Sequence, residues 1–396
     1  MQNTEKRPKM KSMNLSVMLT MLVTVLTAPL AVAETYNVTS TSISGPGSFL
    51  EAIDMANNNP GPDIIEFTDG LLVDAATGVD TKSTFLANIT DPVVIDGKGG
   101  ALLGSQQWVG PGGILNSLTD CPSKSNGDVI LALMPGFIEV GNFNQDNSDI
   151  KVTVKNLQIE QFDRVAGVQK NALLTLENFK AGDTWQTARC GGNALIEVND
   201  GSLTIKQSYF GASTNWKFNG LGTSITGFGG DLTIEGSIFE DMGQASGQSG
   251  EEQWAIRWDG DAGSVVNIVS SRFKESGAVV VGGESVTNIV NTLWVNNDIG
   301  EPDLVDRFLN QSSGDMNVVA STFVWNAPEC NRLCEEDGYI GLFERQGAGK
   351  INIKASAFGF NFDGVTPGRG FLPILGDDGV DGFTADQYTW MQPTPG

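Results

Sequence analysis

The sequence predicts an all-β chain wound as a parallel β-helix, and three observations predict it. First, one segment recurs. Gly201–Phe210 has near-copies ending at Phe239, Phe273, Trp294, Phe323 and Phe358, so the rings stand 29, 34, 21, 29 and 35 residues apart. Second, each copy keeps the same positions. A hydroxyl precedes the ring by two residues (Ser208, Ser237, Ser271, Thr292, Ser321, Ser356), and a β-branched aliphatic precedes it by five (Ile205, Ile234, Ile268, Ile289, Val318, Ile353). Third, another apolar stretch comes before each unit, as in Ala194–Val198, Ala255–Trp258, Ala278–Val281 and Tyr339–Phe343. Repetition at this interval marks a solenoid, because one unit cannot bury its apolar face without its neighbours. A β-sandwich shares the alternation but does not predict six aligned copies.

The unit reads as three short strands. Positions seven and five before the ring (Leu203 and Ile205 in the first copy) alternate with polar residues, as in a half-buried strand. Three residues then separate the aliphatic from the hydroxyl. The phase breaks there, so the chain turns a corner before the ring points inward again. Stacked rings and a hydroxyl column at that corner are the expected result. A weaker seventh copy ends at Ile159, with Val152 and Val154 in register and Leu157 in the hydroxyl's place.

Taken in order, residues 1–33 read as a secretory signal peptide. Lys6, Arg7, Lys9 and Lys11 precede an apolar run from Leu15 to Leu26, and Ala31-Val32-Ala33 forms a cleavage pattern before Glu34. Without Glu5 and those four basic residues, 20 basic and 46 acidic residues remain, a net charge of −26. Such a chain repels nucleic acid and other polyanions. The expectation is a monomer with no transmembrane segment after processing, placed outside the cell, at its surface or in the periplasm.

Residues 34–100 read as an N-terminal cap and first strands. Ser48 with Glu51 three residues later is a capping box, Phe49, Ile53 and Ala56 fall on one helical face, and Asn57–Pro62 ends the helix. This short helix covers the open end of the column, as solenoid termini require. Residues 101–358 hold the repeats and their insertions, with strands also expected at Asp128–Leu133, Phe137–Val140 and Asn171–Leu176. Residues 359–396 read as an irregular C-terminal cap.

Gly45-Pro46-Gly47-Ser48-Phe49-Leu50-Glu51-Ala52-Ile53, then Pro60-Gly61-Pro62-Asp63-Ile64-Ile65-Glu66-Phe67 and Val93-Val94-Ile95-Asp96-Gly97, resemble the N-terminal cap of secreted bacterial right-handed parallel β-helix proteins. These are of the CSLREA type, similar to polymorphic outer-membrane proteins and other pectate-lyase-like solenoids. The resemblance covers most of residues 35–360. It implies right-handed winding and leaves activity open, since one scaffold hosts many functions.

Composition then removes chemistry. The chain has no histidine, which excludes Ser-His-Asp and Cys-His arrangements. It also excludes the Gly-His-Gly of galacturonan hydrolases and the Trp-x-Asp-His of pectate lyases that the resemblance brings to mind. The richest cluster is Glu251–Asp261. There Trp254 and Trp258 offer faces for a sugar, Arg257 offers a cation or base, and Glu251, Glu252, Asp259 and Asp261 offer oxygen ligands for Ca²⁺. Trp216, beside Lys217, is a further candidate for ligand contact. Lys206 and the acidic turn Asp377–Asp381 read as solvated surface. Cys330 and Cys334 are close enough to close a loop by a disulfide, and Cys121 and Cys190 form the remaining pair if they pair at all. The expectation is a protein that presents loops to a polysaccharide or surface protein without an obligate cofactor. A Ca²⁺-assisted polyuronide lyase or epimerase is the alternative.

Overall fold

Each repeat alternates buried and exposed residues, and the structure shows where the buried ones go. The computed structural model describes residues 33–75, 85–104, 136–143, 145–160, 162, 164–182, 194–211, 223–240, 254–276, 278–295, 308–324, 342–359, 383–385, 387 and 389–391. Among them, every strand pairing is parallel. Nine strands form one sheet (sheet B) and 21 form a second, bent sheet (sheet A). The chain is a right-handed β-helix. A typical coil runs from a sheet B strand (Thr223–Phe228) to a long sheet A strand (Leu232–Glu235). It then rounds a tight corner to a short strand (Ile238–Glu240).

Register brings like onto like. Leu203, Leu232 and Val266 are neighbours on successive coils, as are Ile205, Ile234 and Ile268. The rings stack in the same way. Phe210, Phe239, Phe273 and Trp294 follow one another at centroid distances of 4.9, 4.8 and 4.0 Å. Trp294 to Phe323 is 6.4 Å and Phe323 to Phe358 is 5.0 Å, with all these planes within 7° of parallel. Phe308, from sheet B, meets this column edge-on against Trp294 and Phe323. Burying each ring contributes on the order of 1.5–3 kcal/mol, and each ring pair adds about 0.5–1.5 kcal/mol.

The hydroxyl column bonds one coil to the next. The N–H groups of Phe179, Ser208, Ser237, Thr292 and Ser321 donate to the hydroxyls of Ser208, Ser237, Ser271, Ser321 and Ser356 at 3.1–3.2 Å. Each hydroxyl of the column donates in turn to the carbonyl two residues before it, at 2.7–3.0 Å. The corner residue just ahead of the hydroxyl is left-handed. Gln207, Gly236, Ser270, Asn291, Ala320 and Ala355 have φ between 48° and 59°. A single left-handed residue makes the break in alternation, and the hydroxyl serves the N–H groups that this turn removes from the strand ladder. On the outer face of the long strands, Asn267, Asn288, Asn317 and Asn352 form an amide ladder at 2.9–3.1 Å.

The helix, α1 (Phe49–Asn58), buries Phe49, Ala52, Ile53 and Ala56. Phe49 lies 5.7 Å from Phe67 and 6.0 Å from Phe137, so it closes the end of the column. Ser48 Oγ accepts from the Glu51 N–H as a capping box requires. The Glu51 carboxylate, however, accepts from the Gly47 N–H. No helix among the described residues is long and apolar enough to cross a membrane.

The division at Gly100 falls inside one strand, Val93–Leu103. That strand keeps pairing with Lys151–Glu160 through a register shift between Asp96 and Gly100. Lys98 and Gly99, both at positive φ, make the bend. Asp96 anchors it. Burial raises its pKa, but the Asn156 side chain, the Lys98 N–H and Lys155 outweigh this and hold the carboxyl below its usual range. In 359–396, read as irregular, Phe383–Ala385 and Trp390–Met391 pair on Ile351–Lys354 and Ala357–Gly359, which extends the stack by a further coil. The strand expected at Asp128–Leu133 lies outside the described residues.

Replacing Ser237 with Ala leaves the Ser208 N–H buried without its acceptor. We expect urea denaturation to report a loss of about 1–3 kcal/mol. Ser202→Ala, at a more exposed site, should cost about 0.5 kcal/mol or less.

Candidate functional site

Most long connections run through one corner. The turns from sheet B to the long strands are mostly short, as from Asn199 to Ser202, Phe228 to Leu232 and Gly283 to Val286, with a longer one from Val140 to Lys151. The corner from long to short strand is tight, two residues on each coil from Leu173 to Gly359, as from Lys206 to Tyr209 and from Val290 to Leu293. Between the described strands, five long connections run from the short strand to the next sheet B strand: Gly182 to Ala194, Gly211 to Thr223, Glu240 to Trp254, Val295 to Phe308 and Val324 to Phe343.

The short strands that feed this corner turn one row of side chains outward. Tyr209, Ile238 and Arg272 are in register on successive coils. Inward-pointing Phe210, Phe239 and Phe273 fix them there, because neighbours in a strand face opposite ways. Glu240 ties the row together. The Tyr209 hydroxyl donates to its Oε2 at 3.4 Å, and Arg272 Nη2 lies 3.4 Å from Oε1. Ile238 is 36% exposed between the phenol and the guanidinium. The group thus combines an aromatic face, an apolar step and a guanidinium held by a carboxylate. Such a surface can stack on a ring and bond to hydroxyls. Sequence reasoning missed it, although the positions flanking each inward ring carried the signal.

The outer face of sheet B places the residues read from sequence. Ile256 is buried and Arg257 is exposed. Arg257 sits between Thr226 and Val280 in register. On the same face Asp259 stands beside Phe228, which is 45% exposed. Farther along the row, burial raises the Glu139 pKa, against the Gln169 amide that bonds it at 2.8 Å. Glu197 pairs with Arg164 at 3.4 Å.

Trp258 requires a correction. Expected to stack on a sugar, it is 0% exposed and belongs to the core. Its parity in the strand is that of Ile256, so it points inward, and Gly227 on the preceding coil makes room. A Cβ on Gly227 would lie 2.1 Å from Trp258 Cζ3. The indole Nε1 donates to the Gly230 carbonyl at 3.4 Å.

The expected Ca²⁺ ligands are not gathered among the described residues, where no group of three or more His, Cys, Asp or Glu could hold a metal. Glu251 and Glu252 lie outside the described residues. The extended run from Trp254 to Asp259 covers about 16 Å, so Asp259 and Asp261 sit at the far end of that strand. Asp261 turns toward Asp200 across Gly229. The Trp254 side chain, Trp216, and Cys121, Cys190, Cys330 and Cys334 also lie outside the described residues.

Among solved structures, the chain is similar to the catalytic unit of a thermostable GH87 α-1,3-glucanase from Streptomyces thermodiastaticus strain HF3-3. The identity is 11% and the TM-score 0.38, over 90% of this chain and 68% of that one. No protein-family model matches the sequence, and no curated protein matches it.

Gly227→Leu should clash with the Trp258 ring and lower the unfolding free energy by about 1–3 kcal/mol. Adding Trp258→Leu should recover part of that loss in the same denaturation measurement.

Proposed function

We propose that this is an exported β-helix protein of the binding type, holding a neutral polysaccharide at its loop-bearing corner. The concentration of long connections at that corner carries the reading. Binding residues concentrate on loops that a rigid scaffold positions, and here the scaffold leaves one corner free to vary. The row Tyr209, Ile238, Arg272, with Glu240 behind it, adjoins that corner and suits a sugar surface. Trp216 and Trp254 fall in or at the end of these same connections and are proposed to extend it. The net charge of −26 favours a neutral polymer over a polyuronide.

The basic and apolar leader before Glu34 supports export. The resemblance of Gly45–Phe67 to CSLREA-type and polymorphic outer-membrane-protein-like caps supports the same reading.

Affinity electrophoresis of the chain from Glu34 onward through neutral polysaccharides should show retardation. Tyr209→Ala and Arg272→Ala should each weaken it about tenfold, an effect typical of an aromatic or guanidinium contact. Release of unsaturated product from a polyuronide with Ca²⁺, followed by ultraviolet absorbance, would replace the binding reading with the lyase alternative.

A further inference from the structure

The first strand, Thr35–Val38, pairs with Asp63–Phe67. At the start of that pair the Glu34 backbone nitrogen lies 2.8 Å from Asp63 Oδ1. Asp63 is 1% exposed. Its Oδ1 also accepts from Asn59 Nδ2 at 2.9 Å, but Oδ2 is buried with no hydrogen-bond partner among the described residues. A buried carboxylate left partly unbonded is costly. The shallow cleft beside it supplies no cation, being lined by Glu34, Tyr36, Glu51, Asp54, Met55, Asn58 and Asn59.

One donor here can change its chemistry. Glu34 follows Ala31-Val32-Ala33, two small residues at the spacing that leader peptidases cut. We propose that the chain is hydrolysed between Ala33 and Glu34, and that the α-ammonium so formed is the built-in counter-ion of Asp63. Water adds across the Ala33 carbonyl and the C–N bond breaks. Ala33 keeps the carboxylate, and the Glu34 nitrogen takes a proton to become an ammonium. An amide with one hydrogen becomes a cation with three, and both carboxylate oxygens are then served. Processing thereby fastens the outermost strand to the stack and completes the cap only after export.

The surroundings set the pH response. Glu34, Tyr36, Asp91, and Glu51 and Asp54 from α1 stand nearby. The Tyr36 hydroxyl donates to Glu34 Oε2 at 3.0 Å. Burial, that hydrogen bond and the charges of Asp63 and Glu34 push its pKa up to about 12. Burial, and the charge of Asp63, raise the pKa of Asp91, against the Gly61 N–H that bonds it. Tyr36 thus titrates above an amino terminus. A free α-amino group titrates at about 7.7–8.0, and pairing with Asp63 raises it in the folded state. The added stability is therefore full below that range and is lost as pH rises through the folded value.

This rests on the reading of residues 1–33 as an export leader, so the test has two arms. In the first, purified chains beginning at Glu34 and at Ala31 are melted at pH 6 and pH 10. The Glu34 chain should melt about 2–4 °C higher at pH 6, with the gap closing at pH 10. Asp63→Asn should abolish the gap, and acetylation of the Glu34 amine should do the same if that variant does not fold. Equal midpoints at pH 6, or a gap that survives both changes, would overturn the ion pair. In the second arm, the intact mass of the exported protein should place its first residue at Glu34. Any other start would overturn the processing step, whatever the melts show.

Discussion

The structure depends on one constraint, that each coil lies in register on the one before it. Parallel stacking places equivalent residues a strand spacing apart, so a residue that packs well on a copy of itself is favoured at every level. Flat rings meet this demand inside, and Phe210, Phe239, Phe273 and Trp294 lie nearly face to face along the axis. Hydroxyls meet it at the corner, since Ser and Thr accept from one coil while donating within their own. A slip of one residue would turn every ring outward and strand the hydroxyls, so the two columns fix register together.

This constraint divides the cross-section. The left-handed corner closes in two residues on each coil from Leu173 to Gly359, and the sheet B turns are mostly short, with a longer one from Val140 to Lys151. Between the short strand and sheet B, the register sets only the strand ends on either side. Stability and the proposed recognition thereby fall on different parts of the same coil. Tyr209, Ile238, Arg272 and Glu240 stand at the boundary between them, with their backbones in the rigid part.

Legibility in the sequence follows the same division. Six coils were visible because ring, hydroxyl and aliphatic recur at fixed offsets. At Leu173–Gly182 a strand is expected but the repeat is not recognised, because its ring has moved. Phe179 occupies the place of the hydroxyl, donating its N–H to Ser208 Oγ, and Ala181 stands in register with Phe210. Both positions face inward, so the core is filled while the pattern is lost. Trp258 misled for the opposite reason. A Trp among charged residues looks like a ligand platform, and only the pairing of Gly227 with Trp258 shows the space reserved for its ring. The Tyr209 row was hidden because its residues share no type, only an outward direction. The buried carboxylate of Asp63 was likewise invisible, since its partner Glu34 lies 29 residues away.

The central claim is that register columns hold the rod and the variable corner does not. Shortening the Gly211–Thr223 and Glu240–Trp254 connections to brief Gly/Ser turns in one chain tests it most directly, with thermal unfolding followed by far-ultraviolet circular dichroism. We expect a native β spectrum and a midpoint within a few degrees of the parent. A chain that fails to fold, or that melts as early as one in which Phe239 or Phe273 is replaced by Ala, would contradict it.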